Sequence, residues 1–222
     1  MIERGGVAMA AALALVGLAC GHPEKSVVDQ YFNAVNQEDS QTLSSFAAVT
    51  FDQKVEAWKI KSTLSEDKQP APLPALVQEA RDAEAAVAAN RKAATAWSLD
   101  NFGDLDRVRE ARKVNKPVPA KLSDVAAKWD EFNEKDRELK KTVAITKEAV
   151  DRERRAVARS VGDMDDVENL QGEVTEKKLE IDLTIGGQVQ PYVMTLLRYD
   201  LTREGGPRVV SRWVVQALEP KA

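Results

Sequence analysis

The order of apolar and polar positions divides the chain into four stretches. Residues Val7 to Leu18 (VAMAAALALVGL) form an unbroken run of apolar and small residues. About a dozen residues at ~1.5 Å each reach under ~20 Å, short of the ~30 Å hydrocarbon core of a bilayer, so the run reads as the core of a signal peptide spanning 1–19. Pro23 suits a first helical position. Val27, Val28, Tyr31, Phe32 and Val35 then recur at one-, three- and four-residue steps, the pattern of an amphipathic helix. After the polar run Asn36 to Ser40, Asp39 or Ser40 can cap a second short helix that buries Leu43 and Phe46. From Thr50 to Ser62 the period shortens, with Glu56, Trp58 and Ile60 alternating with Val55, Ala57 and Lys59, which predicts a strand. Pro70, Pro72 and Pro74 follow and predict a break, because proline denies ladder and helix bonds alike.

The middle of the chain reads as helix. Leu76, Ala80, Ala83, Val87, Asn90, Ala94 and Trp97 repeat at alternating four- and three-residue steps, and Leu122, Val125, Trp129, Phe132, Leu139, Val143, Val150 and Val157 continue such a seam later. Asn90, Asp136, Thr146 and Glu153 interrupt it with polar groups. The short connection predicts that the two helices fold back on each other as an antiparallel, coiled-coil-like hairpin over 66–168. The last quarter alternates with period two. Leu179, Ile181, Leu183 and Ile185 predict a half-buried strand and Gly186-Gly187 a tight turn. A strand from Gln188 to Thr202 follows, apolar on both faces between Tyr192 and Leu201, and Arg208 to Leu218 completes a three-strand meander. The predicted class is therefore α+β, with N-terminal helices packed on a curved antiparallel sheet built from 20–65 and 169–222 and interrupted by the helical hairpin.

Composition narrows the function. A formal net charge of −4 and a pI near 5.3 exclude the basic face expected of a nucleic-acid binder. Charged residues of both signs make up 31% of the chain and are interleaved, as on solvated helical faces.

Cys20 is the single cysteine. Gly17-Leu18-Ala19-Cys20-Gly21 resembles the lipobox of bacterial lipoproteins, although Gly17 stands where leucine is usual and Glu3 accompanies Arg4 in the leading segment. The resemblance implies cleavage before Cys20 and a lipid anchor on its thiol, which would leave no free thiol in a secreted chain. It also implies a place in the cell envelope, with Gly21 leaning toward the periplasmic face of an outer membrane in a Gram-negative host. The alternatives are an ordinary secretory signal beside an incidental thiol, or a small buried cysteine.

Ser26-Val27-Val28-Asp29-Gln30-Tyr31-Phe32-Asn33-Ala34-Val35-Asn36-Gln37-Glu38-Asp39 resembles the opening helix of the nuclear-transport-factor-2-like (SnoaL-like, cystatin-like) group, and the C-terminal strands resemble its sheet. Together these cover less than half of the chain. The resemblance implies a cavity between sheet and helices, here lined by Tyr31, Phe32, Trp58, Leu197 and Trp213, which in relatives holds small apolar ligands or acid–base residues.

Candidate chemistry is sparse. The sole histidine, His22, stands two residues from Cys20, which argues against histidine catalysis and histidine metal sites. Carboxylates remain: Asp29, Asp52, Glu56, Asp182 and Asp200, the last in an apolar strand where burial would raise its pKa. No phosphate loop, zinc spacing or calcium loop is present in the sequence, and no cofactor is expected.

Three functions follow as expectations. The first is a non-enzymatic envelope lipoprotein, bound to membrane lipid through Cys20, whose hairpin docks an envelope protein or a second copy along a seam containing Trp97, Trp129, Phe132 and Asp136. The second is a small-ligand module using the aromatic cavity. The third is a carboxylate-dependent SnoaL-like enzyme.

Overall fold

The apolar stripe from Val27 to Val35 folds as helix α1 (Lys25–Asn36) and buries Val28, Tyr31 and Phe32 completely. This is seen in a computed structural model that describes residues 24–221 apart from 163, 165, 204 and 210. Residues 1–23, with the expected signal peptide, Cys20, His22 and Pro23, lie outside the described residues. Helix α2 (Ser40–Phe46) starts at Asp39, whose carboxylate accepts from the Thr42 backbone N–H at 2.9 Å and from its hydroxyl. Those bonds hold the Asp39 carboxyl below the usual carboxylate range.

Strand β1 covers Ala57–Pro70, later than the alternation at 50–62 predicts. The reason lies in Asn36, whose side-chain amide bonds both the N–H and the carbonyl of Val55, at 2.9 and 2.7 Å, and so removes that residue from any ladder. The three prolines mark the expected break and also fit the elements on either side of it. Pro70 ends β1 on the sheet edge, Ala71 N–H still bonds Gly172 O, and Pro72 and Pro74 sit at the cap and first turn of helix α3 (Leu73–Asp100). Proline is tolerated at each place because no intrahelical or ladder donor is needed there.

Helix α4 (Phe102–Lys113) and a short 3-10 turn at Ala120–Leu122 lead into helix α5 (Ser123–Val161), 39 residues or about 58 Å long. Strands β2 (Leu170–Ile185), β3 (Gln188–Arg203) and β4 (Val214–Pro220) complete the sheet. Its order is β1-β2-β3-β4 with every pair antiparallel. Gly186 and Gly187, both at positive φ (56° and 74°), form the two-residue turn between β2 and β3. The protein is thus α+β, with an open four-stranded antiparallel sheet. β4 begins later than the Arg208 start that the sequence predicts, since Arg208 makes only an isolated bridge to Thr202.

The sheet buries different faces at its two ends. Near the Gly186-Gly187 turn, Leu179, Ile181 and Leu183 of β2 and Tyr192, Met194 and Leu196 of β3 join α1 and α2 in one core. Toward the other end, Leu170 and Val174 of β2 and Tyr199 and Leu201 of β3 join Leu73 of α3 and Val150, Ala156 and Val157 of α5 in a second. Odd residues serve the first core on β2 and even ones the second, and on β3 the parity is reversed. Because side chains alternate across a strand, the two cores lie on opposite faces. This accounts for the apolar character of both faces of β3.

Glu153 of α5 crosses to the second core and accepts a 2.8 Å hydrogen bond from the Tyr199 hydroxyl. Burial raises the Glu153 carboxyl pKa, against the Tyr199 bond and the nearby Arg152 charge, and burial also raises that of the Tyr199 phenol. A carboxyl raised in this way stabilises the fold fully below its unfolded pKa, and that contribution is lost as pH rises through the folded value. Glu153→Gln keeps an acceptor for Tyr199 and removes the charge. It should therefore raise Tm relative to wild type at neutral pH, by the equivalent of on the order of 1 kcal/mol. The advantage should vanish below about pH 4. Paired thermal melts across that range are the check, and a constant difference would contradict it.

Candidate functional site

The heptad spacing of α3 and α5 brings their least exposed positions face to face. Glu84 pairs with Lys147 at 2.6 Å, Arg91 with Asp136 at 3.4 Å, and Trp97 stacks on Trp129, so the chains run in opposite directions. Toward the end of α3 the contact becomes aromatic. The Trp97 and Trp129 rings lie 6.5 Å apart and Phe132 sits 5.7 Å from Trp97. The Arg109 guanidinium of α4 lies 5.0 Å over Trp129, and the Lys128 ammonium 5.3 Å over Phe132.

The polar seam residues are satisfied in different ways. Asn90, 6% exposed, donates from its side-chain amide to the Phe132 carbonyl at 3.2 Å. Asp136 pairs with Lys140 at 2.5 Å and with Arg91. The Lys140 bond, opposed by burial and helped by Arg91, holds the Asp136 carboxyl below the usual carboxylate range. Thr146 bonds back to the Thr142 and Val143 carbonyls within α5, while Glu153 reaches the sheet. Of these four polar seam residues, only Asn90 and Asp136 therefore bond across to the facing helix. A groove of about 310 Å³ runs along this contact, lined by Asn90, Arg91, Trp129, Phe132 and Asp136 among others. Beyond it, Leu99, Phe102 and Val114 are 70%, 63% and 58% exposed.

The five aromatic and aliphatic residues expected around a ligand cavity do not surround one space. Tyr31 and Phe32 meet edge to face at 5.2 Å, and Trp58 covers Phe32 at 5.2 Å while its indole N–H donates to Asp29. Burial, with the Asp52 charge, pushes the Tyr31 phenol up to about 12. Leu197 packs on the second core, on the opposite face of the sheet. Trp213, 8% exposed, lies beneath the cations of Lys177 and Arg198. A cleft of about 460 Å³ lies elsewhere and is lined by Asn36, Glu38, Phe51, Asp52 and Lys54 with neighbours.

The candidate carboxylates are likewise dispersed. Asp200 is partly exposed and pairs with Arg208, so the burial expected of it is absent. Asp29 pairs with Lys25 at 2.5 Å and Asp182 with Lys61 at 3.6 Å, while Glu56 accepts from the Gly187 N–H at 3.3 Å. Among the described residues no three histidine, cysteine, aspartate or glutamate side chains gather as a metal site would require. No described helix is long and apolar enough to cross a membrane.

Lys177, which the sequence presents only as part of a charged Glu176-Lys177-Lys178 run, is 9% exposed and continues the buried face of Leu179, Ile181 and Leu183. Its ammonium pairs with the buried Glu24 and with Glu66 on β1. Burial works against its charge, but the two carboxylates prevail and raise its pKa. Compared with models of protein families, with curated proteins and with solved structures, the chain matches none.

Proposed function

We propose that this chain is a non-enzymatic, lipid-anchored envelope lipoprotein that uses its helical pair as a docking arm for another envelope protein. In this reading Cys20 carries the anchor, at the periplasmic face of an outer membrane in a Gram-negative host. An α+β domain of the nuclear-transport-factor-2-like kind, with its helices on a curved sheet, serves as the base. α3 and α5 then form a coiled-coil-like hairpin inserted into that domain.

The observation that carries the proposal is the exposure of Leu99 and Phe102 at the α3–α4 junction and of Val114 at the far end of α4. These are three of the six large hydrophobic side chains left exposed among the described residues. Ser98, the residue before Leu99, lines a groove in which Trp129 and Phe132 are rimmed by Arg91 and Asp136. Aromatic residues ringed by polar and charged groups of both signs are the make-up of a protein-binding surface. About 40 Å of α5 separates Ser123 from Val150, the first α5 residue of the second core, so the far end of the helical pair stands well away from the sheet.

The test is in-membrane crosslinking of the full chain against a variant carrying Leu99→Ser, Phe102→Ser and Val114→Ser. The exposed changes should leave Tm within about 1 kcal/mol equivalent of wild type. They should also abolish the crosslinked partner bands. An unchanged band pattern would sink the docking role.

A further inference from the structure

Arg152, Arg155 and Arg159 stand at i, i+3 and i+7 of α5 and so share one helical face. Arg212, just before β4, meets them from the side: its guanidinium donates to the Arg159 carbonyl and to the Ser45 carbonyl, both at 2.8 Å. Arg159 in turn donates to the Ser44 carbonyl at 3.3 Å. These bonds cap the last carbonyls of α2 and α5, which explains why Arg159 and Arg212 are where they are. They do not explain Arg152 and Arg155, which are exposed and make no hydrogen bond or ion pair among the described residues.

Among the described residues no carboxylate forms an ion pair with any of the four arginines, in a chain with 36 acidic and 32 basic residues. Their neighbour Arg154, by contrast, pairs with both Asp151 and Glu168. Like charges three and four residues apart on a helix repel, so the stripe costs the isolated chain stability. Two clefts of about 290 and 270 Å³ open along it and share Arg155 and Arg159. Neither is lined by an acidic residue. In the second, Gln216 presents a buried amide oxygen that makes no hydrogen bond, and a half-turn of that amide would offer an NH₂ to the cleft instead.

The geometry points to a phosphate-binding site formed by Arg152, Arg155, Arg159 and Gln216, with Arg212 beside it. Guanidinium forks match the tetrahedral oxyanion bidentately, and a bound dianion would relieve the repulsion along α5. The same chemistry is offered by free phosphate esters and by the phosphodiester headgroups of anionic lipids.

The experiment uses the full chain and an Arg152→Gln/Arg155→Gln variant. Inorganic phosphate is titrated calorimetrically at low salt. In parallel, both proteins are sedimented with phosphatidylcholine vesicles prepared with and without phosphatidylglycerol. Neither arginine is bonded within the fold, so the variant should keep the wild-type Tm or exceed it. Wild type should bind, and the variant about tenfold or more weakly. Phosphate binding in solution identifies a soluble phosphate ligand, while an arginine-dependent gain confined to phosphatidylglycerol vesicles identifies a lipid headgroup; both support the site. Equal binding by wild type and variant, or no response to either probe, overturns it.

Discussion

Replacing Lys177 with methionine is expected to destabilise the fold by about 3–5 kcal/mol, because it takes the ammonium out of a buried ion pair. Methionine preserves the length and apolar stem of the side chain, so lost packing contributes little. What goes is the ammonium held between Glu24, which is 0% exposed, and Glu66. The two carboxylates would then face each other on the apolar side of the sheet, beside Trp213. Urea unfolding at neutral pH measures the loss. Adding Glu24→Gln to Lys177→Met should recover a large part of it, which a simple packing defect would not allow. The pH dependence has a defined sign. The folded pKa of Lys177 lies above its ordinary value of 10.5. Its stabilisation is therefore complete below that pH and is lost as pH rises through the folded value. Wild type should lose stability there by more than the variant does. A Lys177→Met protein within about 1 kcal/mol of wild type would mean that the pair does not hold the start of α1 to the sheet.

Gly172→Ala is expected to cost about 2–4 kcal/mol. Gly172 sits in β2 at φ +149°, opposite Leu201, and an alanine Cβ there would lie 2.0 Å from the Asp200 carbonyl oxygen. That atom belongs to the backbone of the paired strand, so the ladder itself must open for the methyl group to fit. The neighbours of Gly172 include Ala71, whose N–H bonds the Gly172 carbonyl and joins β1 to α3. Disturbance at this point should therefore reach the second core. Chemical denaturation gives the magnitude, and hydrogen exchange should show lost protection at Leu201 and Ala71 before Leu179 and Met194. Alanine tolerated at no cost would show that the close approach is not required.

The sequence makes legible those elements whose apolar period matches a single buried face. α1, the seams of α3 and α5, and the β2–β3 turn all stand where the pattern places them. The seam is clearest: from Phe132 through Asp136, Leu139, Val143 and Thr146 to Val150, each position is less exposed than its neighbours. Legibility fails where a strand changes the face it buries. Residues 170–177 belong to β2, yet Leu170 and Val174 serve one core and Lys177 the other, so no single alternation runs through them. It fails again where a side chain takes over backbone partners, as Asn36 does for Val55. Leu197 stands apart from the other expected cavity residues for a related reason, since it shares a strand with Leu196 and the two point to opposite faces. The arginine spacing on α5 was readable, but only the carboxylate partners of Arg154, and the lack of any beside it, separate that stripe from an ordinary solvated helix surface.

The distribution of the four tryptophans has a practical consequence. Trp58 and Trp213 belong to the first core, whereas Trp97 and Trp129 stack on each other in the helical pair. Intrinsic emission is therefore the sum of two spatially separate reporters, one for each half of the molecule. The stacked pair is close enough to couple its transitions, which gives the helices a near-ultraviolet dichroism signature of their own. Phenylalanine at either pair silences one reporter and leaves the other. Melting curves that diverge between the two single-pair proteins would reveal an arm that unzips before its base, and superimposable curves a molecule that comes apart as one cooperative unit.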